Sequence, residues 1–272
     1  MKTIDFIKKV TLAAFLFFGF SLSTVVAQND TMYVMKNGAV VGKYNVNTEV
    51  DSVIFYQPVM QPGNTFTDAR DGHVYHTVTI GAQVWMEENL GYLPSVVGPV
   101  TESYSAPCYY VFGYSGTSVF DAKATANYNT YGVLYNWPAA MASSASSSAN
   151  PSGVQGVCPT GWHLPSDAEW TQLTDYLGGA SVAGGKLKEA GTTHWNSPNA
   201  GATNESGFTA LPGGYRYDMG EFFSTGSYGY WWCATAVDNI LAWGRLINYN
   251  FGNVDRYNYL KELGMSVRCV RN

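Results

Sequence analysis

The chain has 272 residues, and its 15 basic and 20 acidic side chains give a net charge of -5 at pH 7. An acidic chain lacks the basic face that nucleic acids and anionic membranes require, so the charge argues against both as partners. Charged residues make up 13% of the chain and aromatic residues 15%, which excludes a disordered protein and indicates a folded, aromatic-rich one.

The first 27 residues have the pattern of a secretory signal peptide. Lys2, Lys8 and Lys9 precede a run of 17 residues without charge, Val10–Val26, and Ala27 follows it. This run is at the lower limit for spanning a bilayer, so an uncleaved anchor is the alternative. Cleavage after Ala27 removes three Lys and one Asp and leaves a net charge of -7. We therefore predict an exported protein, periplasmic, secreted or on the cell surface, without a transmembrane segment in the mature chain.

Four cysteines follow this segment, at positions 108, 158, 233 and 269. An even number of cysteines in an exported chain favours disulfides, and four cysteines allow three pairings. A zinc site needs closely spaced ligand pairs, whereas no two of these cysteines are nearer than 36 residues. The sequence predicts neither a metal nor a cofactor.

Residues 28–58 predict a small β unit. Lys36-Asn37-Gly38 separates two short apolar runs, and Asn-Gly between such runs is a strong hairpin signal. Asp51–Tyr56 is a third strand candidate, residues 59–65 are a predicted linker, and residues 66–272 form the main domain.

The main domain begins with a predicted hairpin. Val74–Ile80 alternates with Val74, His76, Val78 and Ile80 on one face, which predicts a half-buried strand whose partner is Gly81–Met86. Four later runs are short strand candidates. They are Phe208–Leu211, Gly229–Cys233, Ala242–Ile247 and Met265–Val270. Tyr131–Trp137 is a further strand-like or buried run, and residues 142–153 predict a surface loop.

One helix is predicted over residues 166–177. Ser166 and Glu169 have the spacing of a capping box, in which each side chain bonds the other residue's backbone N–H. Trp170, Leu173 and Leu177 recur at helical spacing, and Gly178 ends the pattern. Few helices with many short strands predict an irregular α+β fold.

Several segments resemble, in order, the Fibrobacter succinogenes major paralogous domain family, which occurs in secreted bacterial proteins. They are Val74–Leu90, Tyr131–Trp137, Cys158–Trp170, Gly207–Arg216, Tyr230–Trp232 and Ser266–Arg271. His163–Trp170, Pro212–Tyr215 and Val267–Arg271 also look like segments of the formylglycine-generating enzyme family. This wider likeness implies a C-type lectin-like fold with a small twisted antiparallel sheet and long loops.

The same resemblance implies a disulfide between Cys158 and Cys269, near the main helix and in the last strand. Cys108 and Cys233 are then left as a second pair. Formylglycine-generating enzymes oxidise a target with two active-site cysteines, and two disulfides would leave none for that chemistry. We therefore predict a protein that is not an enzyme.

Other site chemistries are weakly supported. The residues around Trp195 depart from lectin calcium motifs, and Asp68 and Asp71 are more typical of a turn than of a cation site. Glu87 and Glu88 would point to opposite faces of a strand, and His163 and His194 have no evident acidic partner in the sequence.

The remaining candidates for ligand binding are aromatic and basic. They are Arg216, Tyr228, Tyr230, Trp231, Trp243 and Arg245. Flat rings with a few polar groups suit a glycan or a protein surface, although core packing explains the same pattern. We predict a binding or adhesion module. The alternatives are a structural scaffold of the envelope and, third, an oxidase of the formylglycine-generating type.

Overall fold

A computed structural model describes residues 31–36, 39–45 and 64–272. Contacts divide the chain into two units, Met1–Gln57 and Pro58–Asn272. In the first unit, β1 (Thr31–Lys36) pairs antiparallel with β2 (Ala39–Asn45), as the predicted hairpin requires. The predicted signal peptide, the third strand candidate and residues 59–63 of the predicted linker lie outside the described residues.

The second unit contains a five-stranded antiparallel sheet in the order β3-β4-β5-β14-β8. Its strands are β3 (Asn64–Thr67), β4 (Val74–Ile80), β5 (Gln83–Met86), β8 (Trp162–His163) and β14 (Val270–Arg271). β14 lies between β5 and β8, so this sheet joins the beginning, the middle and the end of the unit. β3 starts at Asn64, within the segment predicted as linker.

The first residues of β4 do not bury the face that the sequence predicted to be buried. Val74 is 50% exposed and His76 is exposed, whereas Tyr75 and Thr77 are buried. The Tyr75 ring contributes more apolar surface to the core than Val74 would, and its hydroxyl accepts a hydrogen bond from Gly91 N at 2.9 Å. A partnered hydroxyl allows the larger side chain to take the inward position.

A second sheet contains three long antiparallel strands, β11 (Tyr228–Ala236), β12 (Leu241–Asn248) and β13 (Val254–Leu260). Two small two-stranded antiparallel sheets accompany it. They are β6 (Tyr109–Tyr110) with β7 (Leu134–Tyr135), and β9 (Tyr215–Arg216) with β10 (Phe222–Phe223). The sequence did not predict β13, because its middle residues are exposed and polar, as in an edge strand. Phe208–Leu211 forms an isolated bridge only, at Ala210.

Five α-helices lie within the described residues. They are α1 (Val119–Lys123), α2 (Ala126–Tyr131), α3 (Trp137–Met141), α4 (Asp167–Tyr176) and α5 (Ala180–Leu187). The predicted strand-like run Tyr131–Trp137 is strand only at Leu134–Tyr135, because α2 ends and α3 begins at its two ends. None of these helices has the length and apolar character needed to cross a bilayer, in the part of the chain that is described.

Helix α4 confirms the prediction closely. The Ser166 side chain accepts from Glu169 N at 3.1 Å, and the Glu169 carboxylate accepts from Ser166 N at 2.9 Å. Trp170, Leu173 and Leu177 are buried in one cluster. The described residues thus form a mixed α+β structure with few helices and several small antiparallel sheets.

The cysteines match the expectation only in part. Cys158 and Cys269 form a disulfide with a Cα–Cα distance of 6.0 Å and a sequence separation of 111. Cys108 and Cys233 are free, so the second predicted disulfide is wrong. The reason is spatial, because Cys108 packs with Tyr110 and Leu134 whereas Cys233 belongs to the separate cluster around Trp170.

We expect two free thiols per chain when the protein is unfolded without reductant, because these two cysteines are unpaired and buried. The folded protein should react far more slowly, since buried thiols are shielded from the reagent. A thiol titration with and without denaturant measures both values. No reactive thiol after unfolding would contradict the structure.

Candidate functional site

The most distinctive surface of the main unit is a continuous set of aromatic rings, which we name the tyrosine-rich face. Its members are Tyr215, Tyr217, Phe223, Tyr228, Tyr230, Tyr257 and Tyr259. Neighbouring ring centroids lie 4.7 to 6.5 Å apart. Tyr257 is 53% exposed, Tyr217 40% and Phe223 39%, and the other four are half-buried. Monomeric proteins rarely expose a continuous aromatic patch without a binding role.

Strand register places four of these rings on one side of the second sheet. Tyr257 lies opposite Gly244 and Tyr259 opposite Ala242, while Tyr230 lies opposite Leu246. Directly paired residues share a face, so these side chains project in one direction. A Cβ on Gly244 would come within 2.9 Å of the Tyr259 ring, so the missing side chain makes room for that ring over β12.

The other three rings come from the hairpin of β9 and β10. Tyr215 pairs with Phe223, and the Tyr215 ring centroid lies 4.7 Å from that of Tyr230, which joins the hairpin to the sheet. Arg216 also anchors this hairpin, because it exchanges two backbone hydrogen bonds with Gly264. Three stretches of the chain, 215–223, 228–230 and 257–259, therefore build one surface.

The face is polar but carries no positive charge. Burial raises the pKa of the Tyr215, Tyr230 and Tyr259 hydroxyls, so they stay neutral and protonated at ordinary pH. Asp255 stands on the same side of β13 as Tyr257, and burial raises the pKa of its carboxyl against the effect of Asn253. The surface offers ring faces and neutral hydroxyls beside acidic groups.

Of the six predicted ligand residues, Tyr228 and Tyr230 lie on this face and Trp231 does not. Trp231 is fully buried on the opposite side of β11, and its Nε1 donates to Asn89 Oδ1 at 2.8 Å. Its ring packs against Trp170 and Phe208. The alternation of β11 directs this indole into the core, so its prediction as a ligand residue is wrong.

Both predicted arginines have structural roles. The Arg216 guanidinium is buried, donates to Pro99 O at 2.8 Å and pairs with Glu102 at 3.1 Å. Arg245 is 2% exposed and pairs with Asp167 at 2.7 Å, which ties β12 to the first turn of α4. Neither guanidinium is available to a ligand, because each is buried and bonded to other residues of the chain.

Trp243 is half-buried on the side of the sheet opposite the tyrosine-rich face. The Arg256 guanidinium lies 3.4 Å from its ring centroid. This stacking covers one side of the indole, so Trp243 is not a member of the aromatic surface.

The structure adds Tyr215, Tyr217, Phe223, Tyr257 and Tyr259, which the sequence did not single out. A signal was present in Tyr257-Asn-Tyr259 and Tyr215-Arg-Tyr217, where aromatic residues alternate as on one face of a strand. This alternation could not be assigned to one face of a strand, because the exposed residues in the middle of β13 made that segment look like a loop.

Carboxylates and histidines are closer together than the sequence suggested. Glu87 and Glu88 follow the end of β5, so they are not on a strand as expected, and both line a cavity of about 130 Å³ with His73 and Asn89. Glu88 pairs with His76 at 2.6 Å. Asp68 is paired with Arg70 at 2.6 Å, as expected for a structural turn. No group of three metal-ligating side chains occurs within the described ranges.

Two more histidines have acidic partners that the sequence did not reveal. His163 contacts Glu169 at 2.6 Å in the interior, and His194 contacts Glu189 at 2.9 Å. Burial acts to lower the pKa of His163, but the hydrogen bond and charge of Glu169 outweigh it and raise the pKa. Glu169 is buried and also caps α4, so this pair belongs to the core.

The two free cysteines do not form a reactive pair. An oxidase of the formylglycine-generating type would need two cysteines together, whereas Cys108 and Cys233 lie in different clusters. Burial raises the pKa of the Cys233 thiol to about 12, which disfavours the reactive thiolate despite nearby Arg245.

The geometry defines an α+β domain, closed by one disulfide, that carries an extended aromatic surface. The Fibrobacter succinogenes major domain matches residues 78–271, and the chain belongs to this family. This result confirms the resemblance noted in the sequence. No curated protein and no solved structure matches the chain.

Proposed function

We propose that this protein is an exported, non-enzymatic binding module that holds a neutral glycan on the tyrosine-rich face. The observation that carries the proposal is the unbroken contact of seven rings, three of which are at least 39% exposed. Sugar rings present flat C–H surfaces that stack on aromatic faces, and tyrosine adds a hydroxyl for hydrogen bonding. The signal peptide pattern in residues 1–27 supports export.

The charge around the face favours a neutral ligand over an acidic one. Its polar groups are tyrosine hydroxyls that stay neutral, and the nearest ionisable neighbours include Asp218 and Asp255. An anionic polymer would meet repulsion here, whereas a neutral polysaccharide would not. A protein ligand is the other occupant that such rings suit, and the same experiment separates the two.

We also propose that the main unit has a C-type lectin-like fold. Three features support this: the last strand inserted between β5 and β8, the disulfide from the residue before that strand to the segment before α4, and the long loops. An experimental structure that superposes on lectin-like domains over both sheets would support the proposal. A different strand order around β14 would contradict it.

We expect Tyr257→Ala to weaken glycan binding by at least about tenfold, because Tyr257 is the most exposed ring of the face and truncating an aromatic contact to a ligand costs about 2 kcal/mol or more. The matched control is Tyr176→Ala, which removes a tyrosine of similar exposure, 65%, from α4 away from the face. Affinity electrophoresis in gels that contain neutral or acidic polysaccharides gives the measurement.

The control variant should be retarded like the unmodified protein. Equal retardation of Tyr257→Ala and Tyr176→Ala by the same neutral polysaccharide would contradict binding at the face. Retardation by acidic polysaccharides alone would contradict the assignment of a neutral ligand. Failure of every polysaccharide, with capture of a protein partner that depends on Tyr257, would replace the glycan by a protein.

A further inference from the structure

A groove of about 410 Å³ lies apart from the tyrosine-rich face and shares no residue with it. It is formed by the segment before β6, by the start of α3 and by the serine-rich loop after α3. Its chemically informative lining residues are Tyr104, Tyr109, Trp137, Ser143, Ser144 and Lys261. The volume is within the range of small-molecule sites and is large enough for a sugar ring.

Lys261 is the charged group of this groove, and it is incompletely partnered. The residue is 6% exposed, and its Nζ donates to Asp238 O at 2.7 Å. An ammonium has three donors, and this is the one hydrogen bond that Nζ makes to the described residues. No carboxylate of the described chain forms an ion pair with it, and the neighbouring Glu262 accepts a hydrogen bond from the Tyr104 hydroxyl at 2.8 Å.

The Lys261 ammonium has donors left for an anion, because it makes one hydrogen bond to the described residues. Burial lowers the pKa of Lys261, although the Asp238 charge acts in the opposite direction. A buried ammonium without a carboxylate partner is costly, and an arriving carboxylate would relieve that cost. The Nζ lies 4.2 Å from the Trp137 ring centroid, so the charge is held beside an aromatic ring.

The rest of the groove suits a sugar better than a simple anion. Trp137 and Tyr109 are half-buried rings that offer flat apolar surface beside the ammonium. Ser143 and Ser144 place hydroxyl groups at the edge, on a loop whose Ala142 and Ser143 both have positive φ, 45° and 67°. Hydroxyl groups, aromatic rings and one cation in a single groove are the groups that a hydroxylated ring with a carboxylate requires.

We propose that this groove binds a carboxylate-bearing sugar residue of the hexuronic acid class. Its carboxylate is held by the Lys261 ammonium, its ring packs beside Trp137 and Tyr109, and its hydroxyls bond Ser143 and Ser144. This site is independent of the tyrosine-rich face and differs from it in ligand charge. A polymer with both neutral and acidic residues would engage the protein at two places.

Calorimetric titration of the purified protein with glucuronic acid and with its methyl ester tests this directly. The ester keeps the ring and removes the negative charge, so we expect it to bind at least about tenfold more weakly, equivalent to 1.4 kcal/mol. Lys261→Met keeps the packing against Trp137 without the charge, and should lose glucuronic acid binding to the same extent. Acetate, which has the charge without the ring, should also bind at least about tenfold more weakly.

The control is Tyr257→Ala, which should bind glucuronic acid like the unmodified protein and so separates this groove from the tyrosine-rich face. Three results would overturn the proposal: equal affinity for the acid and its ester, unchanged binding by Lys261→Met, or no binding of glucuronic acid. Acetate binding as tight as that of glucuronic acid would overturn the sugar assignment. If Lys261→Met does not fold, the comparison of acid, ester and acetate on the unmodified protein still decides.

Discussion

Replacing Cys158 and Cys269 together by alanine is expected to lower the free energy of unfolding by about 4–5 kcal/mol beyond the loss of two buried sulfur groups. The disulfide joins residues 111 apart, so its removal frees a long loop in the unfolded chain. The cross-link also fixes the five-stranded sheet, because Cys269 O accepts from Met86 N and Val270 pairs with both neighbours. Its loss should therefore affect the whole main unit.

The matched control is the double variant Cys108→Ala with Cys233→Ala. It also removes two buried cysteine side chains but leaves the disulfide in place. We expect it to cost only about 2 kcal/mol, from lost apolar burial. Denaturant unfolding followed by fluorescence gives both values. Equal destabilisation by the two double variants would contradict the proposed role of the disulfide.

Gly184→Ala is expected to destabilise the protein by at least about 2 kcal/mol, although alanine is the better helix former. In an isolated helix the substitution would stabilise by about 1 kcal/mol. In the folded chain a Cβ at this position would lie 2.1 Å from Asn253 O, which is a backbone atom of the chain entering β13. Close approach of α5 to this segment therefore requires glycine.

Gly252→Ala is the control for this effect, because a Cβ there would meet no atom nearer than 4.0 Å. We expect its free energy of unfolding to stay within about 0.5 kcal/mol of the unmodified value. Thermal and denaturant unfolding of the two variants measure the difference. A Gly184→Ala protein as stable as the unmodified one would show that α5 and β13 do not approach as described.

Local signals were sufficient where one segment determines its own structure. Ser166 and Glu169 satisfy each other within one turn, so α4 could be predicted to within a residue of its ends. The hairpin of β4 and β5 was equally predictable from its alternation and from the turn at Gly81. In both cases the deciding contacts are close in sequence.

Contacts between residues far apart in sequence determine the parts of the structure that could not be predicted. Helix α5 has two adjacent glycines, which weaken helix propensity, and it forms because Gly184 and Gly185 permit close backbone packing. β13 is an edge strand with exposed charges, so its pattern resembles a loop. The candidate site could not be predicted because β13 carries Tyr257 and Tyr259, and only register brings them beside Tyr230.

The predicted ligand residues show the same limit. Arg216 and Arg245 were selected because they stand near aromatic residues in sequence, yet each is buried by partners more than 75 residues away. Of the six predicted ligand residues, Tyr228 and Tyr230 lie on the tyrosine-rich face. Which side of β11 faces solvent could be decided only by the packing of Trp231 beneath α4.

Ligand binding at the tyrosine-rich face can be tested directly by NMR, with a neutral oligosaccharide titrated into protein whose tyrosine rings are isotope-labelled. Binding at the tyrosine-rich face predicts progressive shifts at Tyr228, Tyr230, Tyr257 and Tyr259, with Tyr176 unchanged. Saturation of those shifts would give the affinity of the face itself. Binding that leaves these four rings unperturbed while other residues shift would contradict a binding site on this face.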